Sequence, residues 1–296
     1  FDSGEILAGH TTPVFFGSAM NNFGVELILN GFLHHAPPPQ GRPSNGEFIQ
    51  PSDGAFSGFI FKIQANMDPK HRDRVAYIRI CSGRFERDMT VYHSRTGRKV
   101  RLASSHRLFG KERETLNEAF AGDIIGLVGH SDFGIGDTLT SKKGVEFHEI
   151  PRFTPESFSY LHNTDTGKFK QFRQGLDQLL QEGAIQCLTL RGSAVTAPVL
   201  AAVGPLQFDV VQFRLENEYN AVSRLETAPW SVVRWLPAGY TEEEMDKLSP
   251  PTGSRFGWDS DRKPVLLFAS DWAAGYFQQN NESLKLAKEP PLWNGS

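Results

Sequence analysis

The chain has 296 residues, room for about two or three domains of ordinary size. Hydrophobic residues make up 39% and charged residues 22%, the balance of a soluble globular protein. A net charge of -3 and a pI near 6.3 exclude a surface coated in nucleic acid, so any RNA contact must come from a local basic patch.

No apolar run is long enough to span a bilayer and no signal peptide is visible, so no membrane contact is expected. Cys81 and Cys187 lie far apart, at neither metal nor redox spacing, which fits buried thiols in a reducing compartment. The chain opens on Phe1 rather than Met, as a fragment would.

Residues 1–36 read as the end of an α/β domain. Thr12 to Ser18, TPVFFGS, is an expected apolar strand, and Asn21 or Asn22 can cap the helix that follows. In that helix Val25, Ile28, Leu29 and Phe32 form one amphipathic face. A strand and a helix cannot bury both faces alone. The stripe is therefore expected to pack on a barrel or a second copy of the chain, or to be poorly ordered. Residues 37–54 read as a linker, rich in Pro37, Pro38, Pro39, Pro43 and Pro51.

Residues 55–150 are strand-rich. Expected strands are Phe56 to Ala65, Arg74 to Ser82, Met89 to Ser94, Lys99 to Ala103, Asp123 to Gly129 and Asp137 to Thr140, with turn residues at short intervals, the pattern of a small barrel. The third part, residues 151–296, is α+β. Strands at Ser157 to His162, Ala184 to Leu190, Ala197 to Val203 and Val222 to Glu226 alternate with helices at Thr166 to Glu182 and Pro205 to Tyr219. This β-α-β-β-α-β order is the ferredoxin-like plan. Ser231 to Leu236 adds a strand, and short helices are expected at Glu242 to Leu248 and near Trp272 to Phe277.

Several features invite a chemical reading. Lys70, His71, Arg72 and Arg74 lie at the tip of the hairpin between the first two barrel strands, longer and more basic than a chain reversal requires. A solvated loop would explain them; so would salt-dependent contact with phosphate. Arg95, Arg98, Lys99 and Arg101 form a second patch. The nine histidines include no H-x-x-x-H pair or Cys/His cluster, so no metal site is expected. Gly204-Pro205-Leu206-Gln207 opens a helix, but Pro205 removes a donor and packing explains it better than anion binding. No G-x-x-x-x-G-K-[ST] loop and no Asn-Lys-x-Asp motif occurs, so GTP hydrolysis by these residues alone is not expected.

Taken together, TPVFFGSAMNNFGV, SGFIFKIQANMDPKHRDR, AGDIIGL, IGDTL, QLLQEGAIQ and VGPLQFDVVQFRLENEYN, in this order, resemble the peptide chain release factor three family of translational GTPases. Asp88 departs from the pattern, standing where such factors often carry glycine, and leaves the turn geometry there open. The resemblance implies the last strand and helix of a GTPase domain, a translation-factor barrel, and a C-terminal α+β domain. It implies a bacterial cytoplasmic factor whose full-length parent binds GTP or GDP, with no cofactor in this fragment. Ser18 and Ala19 would then lie in the loop that recognises guanine, through a backbone N–H near the alanine. Implied partners are the 70S ribosome, through ribosomal RNA and protein, and indirectly the class-one release factors that leave it after peptide release. Lys70, His71, Arg72 and Arg74 become candidate ribosome contacts. The alternatives are another translational GTPase, of the elongation factor G or ribosome protection type, or an RNA- or protein-binding barrel with no nucleotide history.

Overall fold

A computed structural model describes residues 2–65, 74–109, 112–148, 150, 153–192 and 197–289. At the N-terminal end, helix α1 (Ser3–Leu7) is capped by Asp2, whose carboxylate accepts the Gly4 and Glu5 N–H groups. Residues 12–18 run on without joining a sheet, so the expected strand is not formed; its one pairing is a bridge between Ser18 and Phe23. A strand exists only through its ladder, and no neighbour among the described residues supplies one. Helix α2 (Val25–His35) does form, but neither Asn21 nor Asn22 caps it. Gly24 holds the N-cap at φ 71, and a Cβ there would lie 2.4 Å from the Phe16 carbonyl oxygen. Only glycine permits that approach. The stripe on α2 is solvent-exposed, with Ile28 at 49%, Leu29 at 57% and Phe32 at 66%, on a regular helix. The expectation that it packs on the barrel or is poorly ordered is thereby corrected.

The stretch read as a linker contains a hairpin, β1 (Arg42–Ser44) and β2 (Glu47–Ile49). Asn45 and Gly46 turn it with φ 44 and 85, the left-handed pair of a two-residue hairpin loop. Ile49 is buried with Phe59, Cys81, Val145 and Phe147, which anchors the hairpin to the barrel.

The barrel strands are β3 (Ser57–Ala65), β4 (Arg74–Ser82), β5 (Arg84–Glu86), β6 (Thr90–His93), β7 (Arg98–Arg101), β8 (Ser105–Phe109), β9 (Glu112–Thr115), β10 (Glu118–Phe120), β11 (Ile124–Val128) and β12 (Thr138–Thr140). Eight of them form one antiparallel sheet in the order β7-β6-β12-β3-β4-β11-β8-β9, and β5 pairs with β10. Phe56, Ile60, Ile78, Phe85, Leu127 and Leu139 share one core. The short strands β5, β8, β9 and β10 had no signal in the alternation of apolar residues. Asp88 adopts φ 67, the left-handed conformation glycine would take, which Asp tolerates better than most residues.

The C-terminal part comprises β13 (Ser157–Asn163), a 3-10 turn at Thr166–Lys168, α3 (Phe169–Gln181), β14 (Gln186–Leu190), β15 (Val199–Ala202), α4 (Leu206–Tyr219), β16 (Ser223–Thr227), β17 (Val232–Trp235), α5 (Glu242–Asp246), β18 (Arg255–Trp258), β19 (Pro264–Phe268) and α6 (Asp271–Asn280). Its sheet runs β16-β13-β15-β14-β18-β19-β17, all antiparallel where paired. The first four strands with α3 and α4 make the expected ferredoxin-like plan. Phe172, Leu176, Leu179, Val211 and Leu215 bury the helices against the sheet. Strands β18 and β19 were not expected; they extend the sheet, and β17 closes it by pairing with β19. Trp235 is buried there, with its ring N–H donating to Asp259 at 2.9 Å. Among the described residues, no helix is long and apolar enough to cross a membrane.

Candidate functional site

Two places carry the residues singled out by sequence. The first is the turn at Ser18. The Ser18 N–H donates to the Phe23 carbonyl at 2.9 Å, and the Phe23 N–H returns the bond at 3.0 Å. The Asn22 N–H reaches the Ala19 carbonyl at 3.3 Å, with Asn22 at φ 50. Ser18 therefore spends its backbone donor inside the turn. Ala19 sits at the exposed tip, and no acceptor among the described residues meets its N–H. The Ser18 hydroxyl accepts the Asn21 N–H at 3.4 Å within the turn.

The second place is the base of the β3–β4 hairpin. Its tip, with Lys70, His71 and Arg72, lies outside the described residues. Arg74 is described, and its guanidinium does not point freely into solvent. It donates to the Ser131 carbonyl at 2.5 Å and to the Phe133 carbonyl. Burial lowers its pKa, opposed by the charges of Asp137 and Glu182. Arg74 thus belongs to the scaffold at the start of β4, which alternation in the sequence could not reveal.

The loop that Arg74 holds leads into the Gly136-Asp137-Thr138-Leu139 motif. Asp137 is buried, and its carboxylate is the acceptor for a whole network. Arg95 donates from Nε to Oδ1 at 2.6 Å and from Nη2 to Oδ2 at 2.8 Å. The Gly134 N–H donates to Oδ2 at 2.6 Å, and the His93 ring at 2.7 Å. Burial opposes ionisation of Asp137, but the hydrogen bonds from Arg95, His93 and Gly134 outweigh it and hold the carboxyl below its usual range. His130 stacks on Phe133 at 4.5 Å, and burial pushes its pKa down. The other Gly-Asp motif is built similarly: Asp123 accepts the Phe120 N–H at 2.9 Å, and Gly122 at φ 98 lies where a Cβ would meet Pro39 at 2.5 Å.

The second basic patch does not present four free charges. Arg95 is committed to Asp137, Arg101 pairs with Asp88 at 3.0 Å, and Lys99 lies over the Tyr92 ring at 5.4 Å. Sequence reasoning missed Glu182, which meets the hairpin base from the C-terminal domain, and Arg214, which pairs with Glu182; no motif marks either. No cluster of three or more His, Cys, Asp or Glu able to hold a metal occurs among the described residues.

Comparison with known proteins gives this architecture a family. Residues 55–142 match the model of elongation factor G domain 2, and residues 147–278 match that of the class II release factor RF3, C-terminal domain. A peptide chain release factor 3 from Gloeobacter violaceus is 49% identical over 99% of this chain and 55% of its own length. Relatives of the same name from Rippkaea orientalis and Synechococcus elongatus are each 47% identical, over 99% and 100% of this chain and 54% and 53% of their own lengths. A crystal structure of a Thermus thermophilus protein superposes with a TM-score of 0.54 over 80% of this chain and 34% of that one, at 21% identity, and supports the fold alone. The chain spans about half the length of the curated relatives it matches. With near-half identity along nearly its whole length and both domains in the family's order, the chain belongs to the peptide chain release factor 3 family.

Proposed function

We propose that this chain supplies the ribosome-contacting and interdomain surfaces of a cytoplasmic translation termination factor. The observation that carries the reading is an elongation-factor-type barrel followed directly by a class II release factor domain, in a chain 49% identical to a relative named for that role. On this reading the parent protein binds the 70S ribosome in its GTP form, touching ribosomal RNA and protein, and promotes departure of class-one release factors after the peptide is freed. Nucleotide state would act as a population shift, in which GTP favours one arrangement of domains and the ribosome prefers that arrangement. Ser18 and Ala19 fit one edge of a guanine site: the exposed Ala19 N–H can donate to the base, and Ser18 stiffens the turn behind it. The sequence holds no phosphate cradle, so hydrolysis would rest on other parts of the parent protein.

Within this chain the reading assigns ribosome contact to Lys70, His71 and Arg72, with Arg74 as the brace beneath them. The test is cosedimentation with 70S ribosomes across a salt series, using the chain and a Lys70→Ala/Arg72→Ala variant. Arg74 is left in place because its guanidinium holds the 131–133 carbonyls. Binding should weaken with salt, and losing two phosphate contacts should lower the slope of log affinity against log salt by about two. Equal binding by both forms would return the tip to plain surface. Failure of both to bind at low salt would overturn the ribosome reading for this chain.

A further inference from the structure

The barrel and the C-terminal domain meet at a buried carboxylate. Glu182 follows the last residue of α3, and its side chain is 8% exposed. Its Oε1 accepts the Ala65 N–H at 2.6 Å. Ala65 is the last residue of β3 and pairs with Arg74, at the point where the hairpin leaves the sheet. A side chain of one domain therefore completes the backbone hydrogen bonding of the other. A carboxylate buried to this degree needs a counter-charge. Arg214 of α4 provides it, bonding both Glu182 oxygens and gripping Glu218 with Nε at 2.6 Å and Nη2 at 3.0 Å. Two further observations fall on the same junction. Arg74 feels the charge of Glu182. Gly183 sits at φ 69 beside Ile135 of the loop that Arg74 holds, where a Cβ would come within 3.0 Å of the Ile135 side chain.

We infer that Glu182 is a positioning residue, whose carboxylate, braced by Arg214, fixes the base of the β3–β4 hairpin against α3 and α4 so that hairpin and C-terminal domain move as one unit. Simple packing would not require the bond to Ala65, because a glutamate at the end of a helix is ordinarily solvated. Here it is shielded on one side by the barrel and tied on the other to an arginine that is itself held twice. The inference does not depend on what the tip of the hairpin touches, so it survives failure of the ribosome reading.

The test uses the whole chain, with amide hydrogen exchange resolved to single residues and small-angle scattering as the two readouts. In Glu182→Ala, exchange at Ala65 should rise about tenfold or more, as expected for loss of one charge-assisted hydrogen bond, and the scattering curve should broaden as the domains uncouple. Protection within α3, α4 and the middle of β3 should stay as it was. Glu182→Gln keeps an acceptor for Ala65 but loses the ion pair, and should fall between the two. Glu218→Ala leaves both the Ala65 bond and the Arg214–Glu182 pair in place and should move each readout less than Glu182→Gln does. Unchanged exchange at Ala65 with unchanged scattering in Glu182→Ala would overturn the inference. So would a general loss of protection across α3 and α4, since that would make Glu182 a stabilising residue rather than a positioning one.

Discussion

Asp137 should be the side chain on which the barrel depends most. Its carboxylate accepts four hydrogen bonds, from Arg95 Nε at 2.6 Å, Arg95 Nη2 at 2.8 Å, the Gly134 N–H at 2.6 Å and the His93 ring at 2.7 Å. Asp137→Ala strands the buried His93 ring and the Gly134 N–H and frees Arg95, the kind of loss that costs about 3–5 kcal/mol for a buried pair. Arg95 is partly exposed and water can replace its bonds, so the lower end, about 3 kcal/mol, is expected. For a domain of this size that lowers the melting temperature by roughly 12–24 °C. Asp137→Asn keeps the shape but turns an NH2 toward either Arg95 Nε or the Oδ2 donors, and should lose about 2 kcal/mol. The assay can separate the domains, because all five tryptophans lie at Trp230 or later and the barrel contains none. Tryptophan emission then follows the C-terminal domain, while exchange protection of β3 and β4 follows the barrel. The pH dependence has a definite sign. The folded pKa is depressed, so the carboxylate contributes its stability above the unfolded value of about 3.9 and loses it as pH falls through the lower folded value. The wild-type barrel should therefore lose stability more steeply below about pH 4 than the Asp137→Asn barrel. A melting shift under 3 °C in Asp137→Ala, or identical acid profiles, would refute the argument.

Gly175 lies where α3 crosses α4, and a Cβ there would come within 2.7 Å of the Tyr219 ring and 2.8 Å of a Leu215 methyl. Gly175→Ala should gain some helix propensity but lose more to overpacking, for a net destabilisation of about 1–2 kcal/mol in the tryptophan-detected urea transition; a stabilised variant would show that the helices can part at little cost. Burial pushes the thiols of Cys81 and Cys187 up to about 11. Both should react with an aromatic disulfide reagent at pH 8 roughly a hundredfold more slowly than a thiol of ordinary pKa, and at the ordinary rate once urea unfolds the chain; prompt labelling of either in the native state would contradict the burial.

Much of the fold is legible from residue patterns, where the pattern is local. Strand β4 has the expected bounds because Val75, Ala76, Ile78 and Ile80 lie between a charged turn segment and Gly83, α3 announces itself by its apolar face, and Pro205 marks the start of α4. Asn45-Gly46 is also local turn chemistry, but the prolines around it concealed a hairpin within an apparent linker. Pro264 to Phe268 is buried throughout, so it shows no alternation, and a five-residue apolar run beginning with proline is ambiguous until its neighbours are known. The α2 stripe was read correctly as apolar, but whether it is covered depends on surfaces that its own periodicity cannot specify.

The candidate site divides the same way. Periodicity and turn chemistry by themselves place a basic segment between β3 and β4 and a small-residue turn before α2, since both are properties of neighbouring residues. They cannot say which cations are free. Arg74 is taken by carbonyls at 131 and 133, Arg95 by a carboxylate at 137, and the hairpin base by a glutamate 117 positions away from Ala65. Charge pairing and burial depend on distance in space, which falls quickly to zero influence through water and acts strongly only where packing excludes it. The tertiary structure alone therefore decided which basic residues brace the hairpin, because only the folded chain brings those distant acceptors to within a hydrogen bond.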